Sequence, residues 1–187
     1  MGVTEDRFTL TPADVIEFWA EAGPDRWYAK DAAFDARIRE RFLALHEAAA
    51  AGQLAEWEGT PDGSLALVIL LDQFPRNMFR GSARAFATDP QALAAAERAI
   101  SRGDDRRARK ELQSFFYLPH QHAEDLAVQE RGVALFTAAS DAEGLKWAVV
   151  HADIIRKFGR FPHRNAVLGR VTTPEEQAFL DSGGFAG

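Results

Sequence analysis

Four times in 187 residues a Thr-Pro or Asp-Pro step stands in front of a run of helical character: Thr11-Pro12, Thr60-Pro61, Asp89-Pro90 and Thr173-Pro174. The side-chain oxygen of Thr or Asp can accept from the free N–H groups of a first helical turn, and proline's fixed φ suits the position after it. Punctuation of this kind commits a chain to helices. The first step leads into Val15, Ile16, Phe18 and Trp19, stopped by Gly23-Pro24. Asp31 is placed to cap Phe34, Ile38, Phe42, Leu45 and Ala49, which recur at steps of three and four until Gly52. The second step opens Ser64 to Phe74, apolar nearly all round, which predicts a central buried helix; a buried strand is the alternative. Asp89-Pro90 opens the Ala-rich run Gln91 to Ile100, and Asp104 or Asp105 opens a further helix carrying Leu112, Phe115 and Phe116. Helices are also expected from about His122 to Ala138, from Asp141 through Leu145, Trp147, Ile154 and Phe158, and around Phe179 and Leu180 before Gly183-Gly184.

No stretch shows sustained period-two alternation between hairpin turns. The expected class is therefore all-α: one domain over residues 1–187, about eight helices in antiparallel hairpins, with a tetratricopeptide-like superhelical layout. Regular repeats are not expected, because neither a 34-residue self-similarity nor a Trp-x-x-Leu-Gly signature occurs. Leu67, Ile69, Leu70, Trp147, Ile154 and Phe158 are the expected core residues.

Composition narrows the chemistry. There is no Cys, which removes disulfides, thiolate metal sites and cysteine nucleophiles together. Lys+Arg number 22 and Asp+Glu 28, a net charge of −6, so the chain is not a general polyanion binder and nucleic acid is not an expected partner. Glu5 and Asp6 stand where a signal peptide would be apolar, and no window approaches the ~18 apolar residues of a membrane span. No membrane partner and a cytoplasmic location are the expectations. Gly-x-Gly-x-x-Gly, a P-loop and Gly-x-Ser-x-Gly are absent, so no cofactor is expected and no nucleophile elbow exists.

Two segments repeat one phrase. Phe74-Pro75-Arg76-Asn77 follows the central apolar run, and Phe161-Pro162-His163-Arg164-Asn165 follows the Trp147 helix. Each reads as a helix exit that could deliver a guanidinium fork and a carboxamide to one cavity, where Arg presents paired planar donors to a carboxylate or phosphate. The same residues could instead satisfy orphan carbonyls at helix ends, with Asp72 and Asp153 as internal partners. Four of the five histidines, His120, His122, His151 and His163, lie in the C-terminal half. With Glu124, Asp125 or Asp153 they could serve a metal or acid–base chemistry, although no tight ligand spacing such as His-Glu-x-x-His occurs.

Leu71-Asp72-Gln73-Phe74-Pro75-Arg76-Asn77, Tyr117-Leu118-Pro119, His122-Ala123-Glu124-Asp125 and Phe158 to Asn165 together resemble a bacterial family catalogued as domain of unknown function 924. The likeness runs from Val15-Ile16-Glu17-Phe18-Trp19 almost to the C-terminus. The resemblance implies a tetratricopeptide-like all-α fold and brings no established activity. It matches His122 to the family's imidazole after Leu-Pro and marks His120 as a departure. The leading functional expectation is a pocket for a small anionic metabolite formed by Arg76, Asn77, His122, His163, Arg164 and Asn165. One competitor is a protein-interaction module that takes a peptide in a groove exposing Trp27, Tyr28 or Trp57. The other is a metal-dependent enzyme using His122, His151, Asp153 and His163. The oligomeric state is left open.

Overall fold

A proline inside a helix removes one donor from the i to i−4 ladder, and Pro75 does this near the end of the longest buried helix. The computed structural model describes residues 9–185, and Glu5 and Asp6 of the expected leader argument lie outside the described residues. The central rod starts as α-helix at Pro61–Val68, passes through a π-helical turn at Ile69–Gln73, and resumes as α-helix at Phe74–Met78. Without the Pro75 N–H, the carbonyls of Leu71 and Leu70 lack a backbone donor in the α and π registers respectively. Thr88 Oγ1 donates to the Leu71 carbonyl at 2.6 Å, and His46 Nδ1 meets the Leu70 carbonyl at 2.9 Å. The rod therefore continues past its proline, and Phe74-Pro75-Arg76-Asn77 lies within the helix instead of in an exit loop.

The elements in chain order are α1 (Pro12–Ala22), α2 (Pro24–Trp27), α3 (Ala32–Ala50), α4 and α5 (Pro61–Val68 and Phe74–Met78, the two α portions of the rod), α6 (Asp89–Arg102), α7 (Leu118–His122), α8 (Leu126–Ala138), α9 (Ala142–Phe158) and α10 (Pro174–Asp181). No strand occurs among the described residues, so the all-α expectation holds. The rod is the hub: α1 and α6 pack on α4, and α3 packs on α5. A second layer is the α8–α9 hairpin, joined to the rod side through α7. Gly144 permits the close approach of α8 and α9, since a Cβ there would stand 2.4 Å from the Phe136 ring.

Thr11 and Thr173 close capping boxes, and Thr60, Asp31, Asp125 and Asp141 accept from the first turns of their helices. Asp89 departs from this pattern. Thr88 occupies the cap position, Asp89 is the first helical residue, and its carboxylate is released for other partners. The helix expected after Asp104 is instead two 3-10 segments, Asp104–Arg106 and Lys110–Phe116, while the run expected from about His122 starts at Leu126 as α8, because His122 ends the short α7 and Ala123 is extended. Leu67, Ile69, Leu70 and Ile154 are buried as expected. Trp147 is 41% exposed and Phe158 only half-buried, because Trp147 lies on the solvent side of α9 and donates to Glu143 of its own helix.

Candidate functional site

The π turn presents Asp72 towards α7, and α5 presents Arg76 towards the start of α6. Asp72 is completely buried, yet its carboxylate receives donors on both oxygens: His122 Nδ1 at 2.7 Å on Oδ1 and Gln73 Nε2 at 2.5 Å on Oδ2. Burial alone would raise its pKa, but the charges of His122 and Arg76 and these two hydrogen bonds hold it down at about 2. The ionised form is thereby fixed, and His122 is oriented with Nδ1 on Asp72. Burial, followed by the positive charge of Arg76, keeps His122 below the ordinary histidine range despite the opposing pull of Asp72. Its ring remains 15% exposed, and Nε2 makes no hydrogen bond among the described residues.

Arg76 clamps Asp89 with two donors at 2.9 and 3.1 Å and gives a third hydrogen bond to the Asp72 carbonyl at 2.6 Å. Arg164 enters from the 3-10 turn Pro162–Arg164 after α9 and shares the same carboxylate, with Nη1 3.4 Å from Asp89 Oδ2. Its guanidinium carbon sits 4.5 Å from the Phe86 ring centroid and 4.6 Å from that of Phe161, so aromatic rings hold it by its planar group. The side chain is only 7% exposed. Its Nε is buried without an acceptor, and Nη2 makes no hydrogen bond among the described residues. Burial is the main cause of an Arg164 pKa lowered to about 10; the like charge of Arg76 adds to it, while Asp89, Glu124 and Asp72 oppose it.

His151 and His163 adjoin this pair. His151 Nδ1 lies 2.7 Å from the Trp147 carbonyl, while His163 Nδ1 is buried with no partner. Both rings pack edge-on to Phe185, at 4.5 and 5.3 Å between centroids. Burial comes first in bringing both to about 4, with His122, Arg164 and Arg76 acting on His151 and Arg164 and His151 acting on His163. Both are neutral at pH 7. Tyr28 is 68% exposed, yet burial and the charges of Asp141 and Asp72 push its phenol up to about 12.

The loop after α9 is braced independently of these groups. Glu124 accepts from the Phe161 N–H at 2.7 Å and from Arg170 at 2.6 and 3.0 Å, and Arg170 also donates to the Phe161 carbonyl and to Asn165 Oδ1. Asn165 donates to Glu176 at 3.1 Å, which Arg160 clamps at 2.6 and 2.9 Å. The Arg160 hydrogen bond is the first cause of a Glu176 pKa near 2. This network pins α10 to the loop.

The structure thus brings together Arg76, Arg164, His122 and His163 of the expected pocket and turns both amides away. Asn77 donates to Asp35 at 2.8 Å on the α3 side of the rod, and Asn165 is buried in the α10 brace. Of the metal candidates, Asp153 is a 64% exposed partner of Arg156 and takes no part, although His151 joins the cluster. No group of three or more metal-type ligands occurs among the described residues. His120 is bonded to Glu97 at 2.8 Å and is fully buried. Trp27 donates to the Trp19 carbonyl and stacks on Trp19, and Trp57 is half-buried against the core, leaving Tyr28 as the exposed member of the expected aromatic groove. Two open hollows, of about 500 and 270 Å³, lie around Lys157 and Phe158 on the outer side of α9, outside the Arg–His cluster. Asp89, Phe86 and Gln73 were not among the expected site residues. Asp89 carried a signal, an acid in the first turn of a helix, but read as a cap it was already accounted for.

The family model described as bacterial protein of unknown function (DUF924) matches residues 15–184, which include every residue of the cluster except Phe185. A solved structure of a protein of unknown function from Agrobacterium tumefaciens is 50% identical, covering 92% of this chain and 97% of that one, with a TM-score of 0.89. No curated protein matches the chain.

Proposed function

The chain belongs to the DUF924 family of bacterial proteins, and from that premise we propose that it binds a small carboxylate- or phosphate-bearing molecule at Arg164 and Arg76, with His122 and His163 beside it. One observation carries the reading. The Nε–Nη2 edge of Arg164 has no acceptor among the described residues, while the guanidinium packs against the rings of Phe86 and Phe161. That edge is the one that takes a carboxylate side-on through two parallel hydrogen bonds, and charge-assisted pairs of this kind are the strong ones. A buried guanidinium whose nearest carboxylate is 3.4 Å away and already clamped by Arg76 is poorly compensated. An incoming anion supplies the missing acceptor. Among the described residues no helix is long and apolar enough to cross a membrane, and the net charge of −6 speaks against a polyanion partner; both support the proposal of a cytoplasmic protein with neither nucleic acid nor membrane as a partner.

A thermal-shift screen against inorganic phosphate and a series of mono- and dicarboxylates tests it. At 100 times Kd a bound anion adds about 2.7 kcal/mol of stability. The expected result is a raised melting temperature for at least one anion in the wild type and none in Arg164→Met. A wild type that responds to no anion overturns the reading.

A further inference from the structure

The anion site stands beside a group it does not use. His122 has Nδ1 on the buried Asp72 and an unbonded Nε2 on the open side of its ring. Asp72 is itself locked by Gln73 and by its neighbour Arg76, so the imidazole cannot swing without breaking a buried charged hydrogen bond. A histidine with its Nδ1–H given to a carboxylate is held in the tautomer whose Nε2 lone pair is free to accept a proton. No hydroxyl or thiol nucleophile pairs with that nitrogen. The chain has no Cys, and the nearby Thr88 hydroxyl is committed to the Leu71 carbonyl. A base without a side-chain nucleophile acts on water or on a proton of the substrate.

We propose that His122, positioned by Asp72, is the general base of a hydrolase for esters that carry a carboxylate. This rests on the anion-binding reading, with Arg164 holding the substrate carboxylate. In the first step the water oxygen bonds to the acyl carbon as one of its O–H bonds breaks and the proton moves to His122 Nε2. In the second the ester C–O bond breaks, and the imidazolium returns the proton to the departing alkoxide. The sum is ester plus water giving acid plus alcohol, with His122 restored and no oxidant or second reactant consumed. Asp72 touches neither water nor substrate and is a positioning residue.

The charged and titratable groups around His122 come from four elements. They are Asp72 and Arg76 on the rod, Asp89 on α6, His151 on α9, and, beside these, His163 and Arg164 on the turn after α9. Activity therefore rises with pH along a limb that lies below the ordinary histidine range, because burial and Arg76 outweigh Asp72.

The test uses the full chain and two activated esters, 4-nitrophenyl hemisuccinate and 4-nitrophenyl acetate, followed by nitrophenolate release. Positioned general-base catalysis contributes about 10²-fold or more. His122→Gln is expected to lose that factor on the hemisuccinate, and Arg164→Met to lose the preference for hemisuccinate over acetate. Asp72→Asn is expected to lower the rate and move the pH limb further down, since the carboxylate that strengthens the base is gone; a merely structural Asp72 would leave the limb in place. Equal rates in wild type and His122→Gln, or no release above buffer, overturn the proposal. If the anion screen is still positive, the binding reading survives that failure; if the screen is negative, both fall. Should His122→Gln not fold, the nitrogen-15 shifts of His122 in the wild type decide: a bare Nε2 is expected, and a protonated Nε2 in neutral imidazole overturns the proposal.

Discussion

Arg76 and Asn77 are consecutive on one helix, and consecutive helical residues point about 100° apart. They cannot both face one cleft, so Arg76 meets Asp89 while Asn77 crosses to Asp35. The recurrence of Phe-Pro and Arg-Asn was legible in the sequence, and the two arginines of the phrase do meet, at Asp89. The division of labour within each pair was not, because it depends on reading the first phrase as helix, which Pro75 argues against. Asn77→Ala is expected to cost about 0.5–1.5 kcal/mol through the lost hydrogen bond to Asp35, which keeps its Arg80 donors, and to leave anion affinity unchanged, as urea denaturation and titration would show. The histidines set a pH dependence. His151 and His163 titrate near 4 in the folded chain against about 6.5 unfolded, and burial also lowers His46, His120 and His122. A depressed histidine favours the native state when neutral, so this stability is complete above about pH 6.5 and drains away as pH falls towards 4. Denaturation midpoints at pH 7, 6 and 5 should fall in that order, and His151→Gln should flatten the slope by an amount on the order of 1–3 kcal/mol across the window.

At the scale of elements, capping residues are chemically explicit and were readable as such: Thr11, Asp31, Thr60, Asp141 and Thr173 all cap where their side chains suggest. The exceptions have local causes. Thr88 takes the cap position from Asp89 but spends its hydroxyl on the Leu71 carbonyl 17 residues earlier, a demand created by Pro75 and invisible in any local window. Leu112, Phe115 and Phe116 stand at steps of three and four, which a 3-10 segment can bury as well as an α-helix can. The π turn makes a sharp prediction. Thr88→Val leaves the Leu71 carbonyl buried and unpaired, and should lower stability by about 1–3 kcal/mol by urea denaturation. Because Thr88 and Pro75 answer the same carbonyl ladder, Pro75→Ala in the Thr88→Val background should recover part of that loss. Simple additivity of the two single changes would show that the two are not linked.

Across the whole molecule a net charge of −6 surrounds an inward pair of guanidiniums. On the anion-binding proposal this contrast directs anions to one place, and the all-α scaffold builds that place from segments far apart in the chain: the end of the rod, the start of α6, α7 and the loop after α9. Helix class follows from short-range patterns and was legible, whereas convergence of these four segments is a property of packing. Asp89 illustrates the gap, since it joins Arg76, 13 residues away, to Arg164, 75 residues away. The most direct test is calorimetric titration of the best anion from the screen onto the wild type, Arg164→Lys, Arg164→Met and Asn77→Ala. Loss of a charge-assisted hydrogen-bonded pair is worth about 1.5–3 kcal/mol, or roughly 10- to 100-fold in Kd. The account predicts that loss for Arg164→Lys, which keeps the charge without the fork, at least as much for Arg164→Met, and none for Asn77→Ala. Undiminished affinity in Arg164→Met would contradict it.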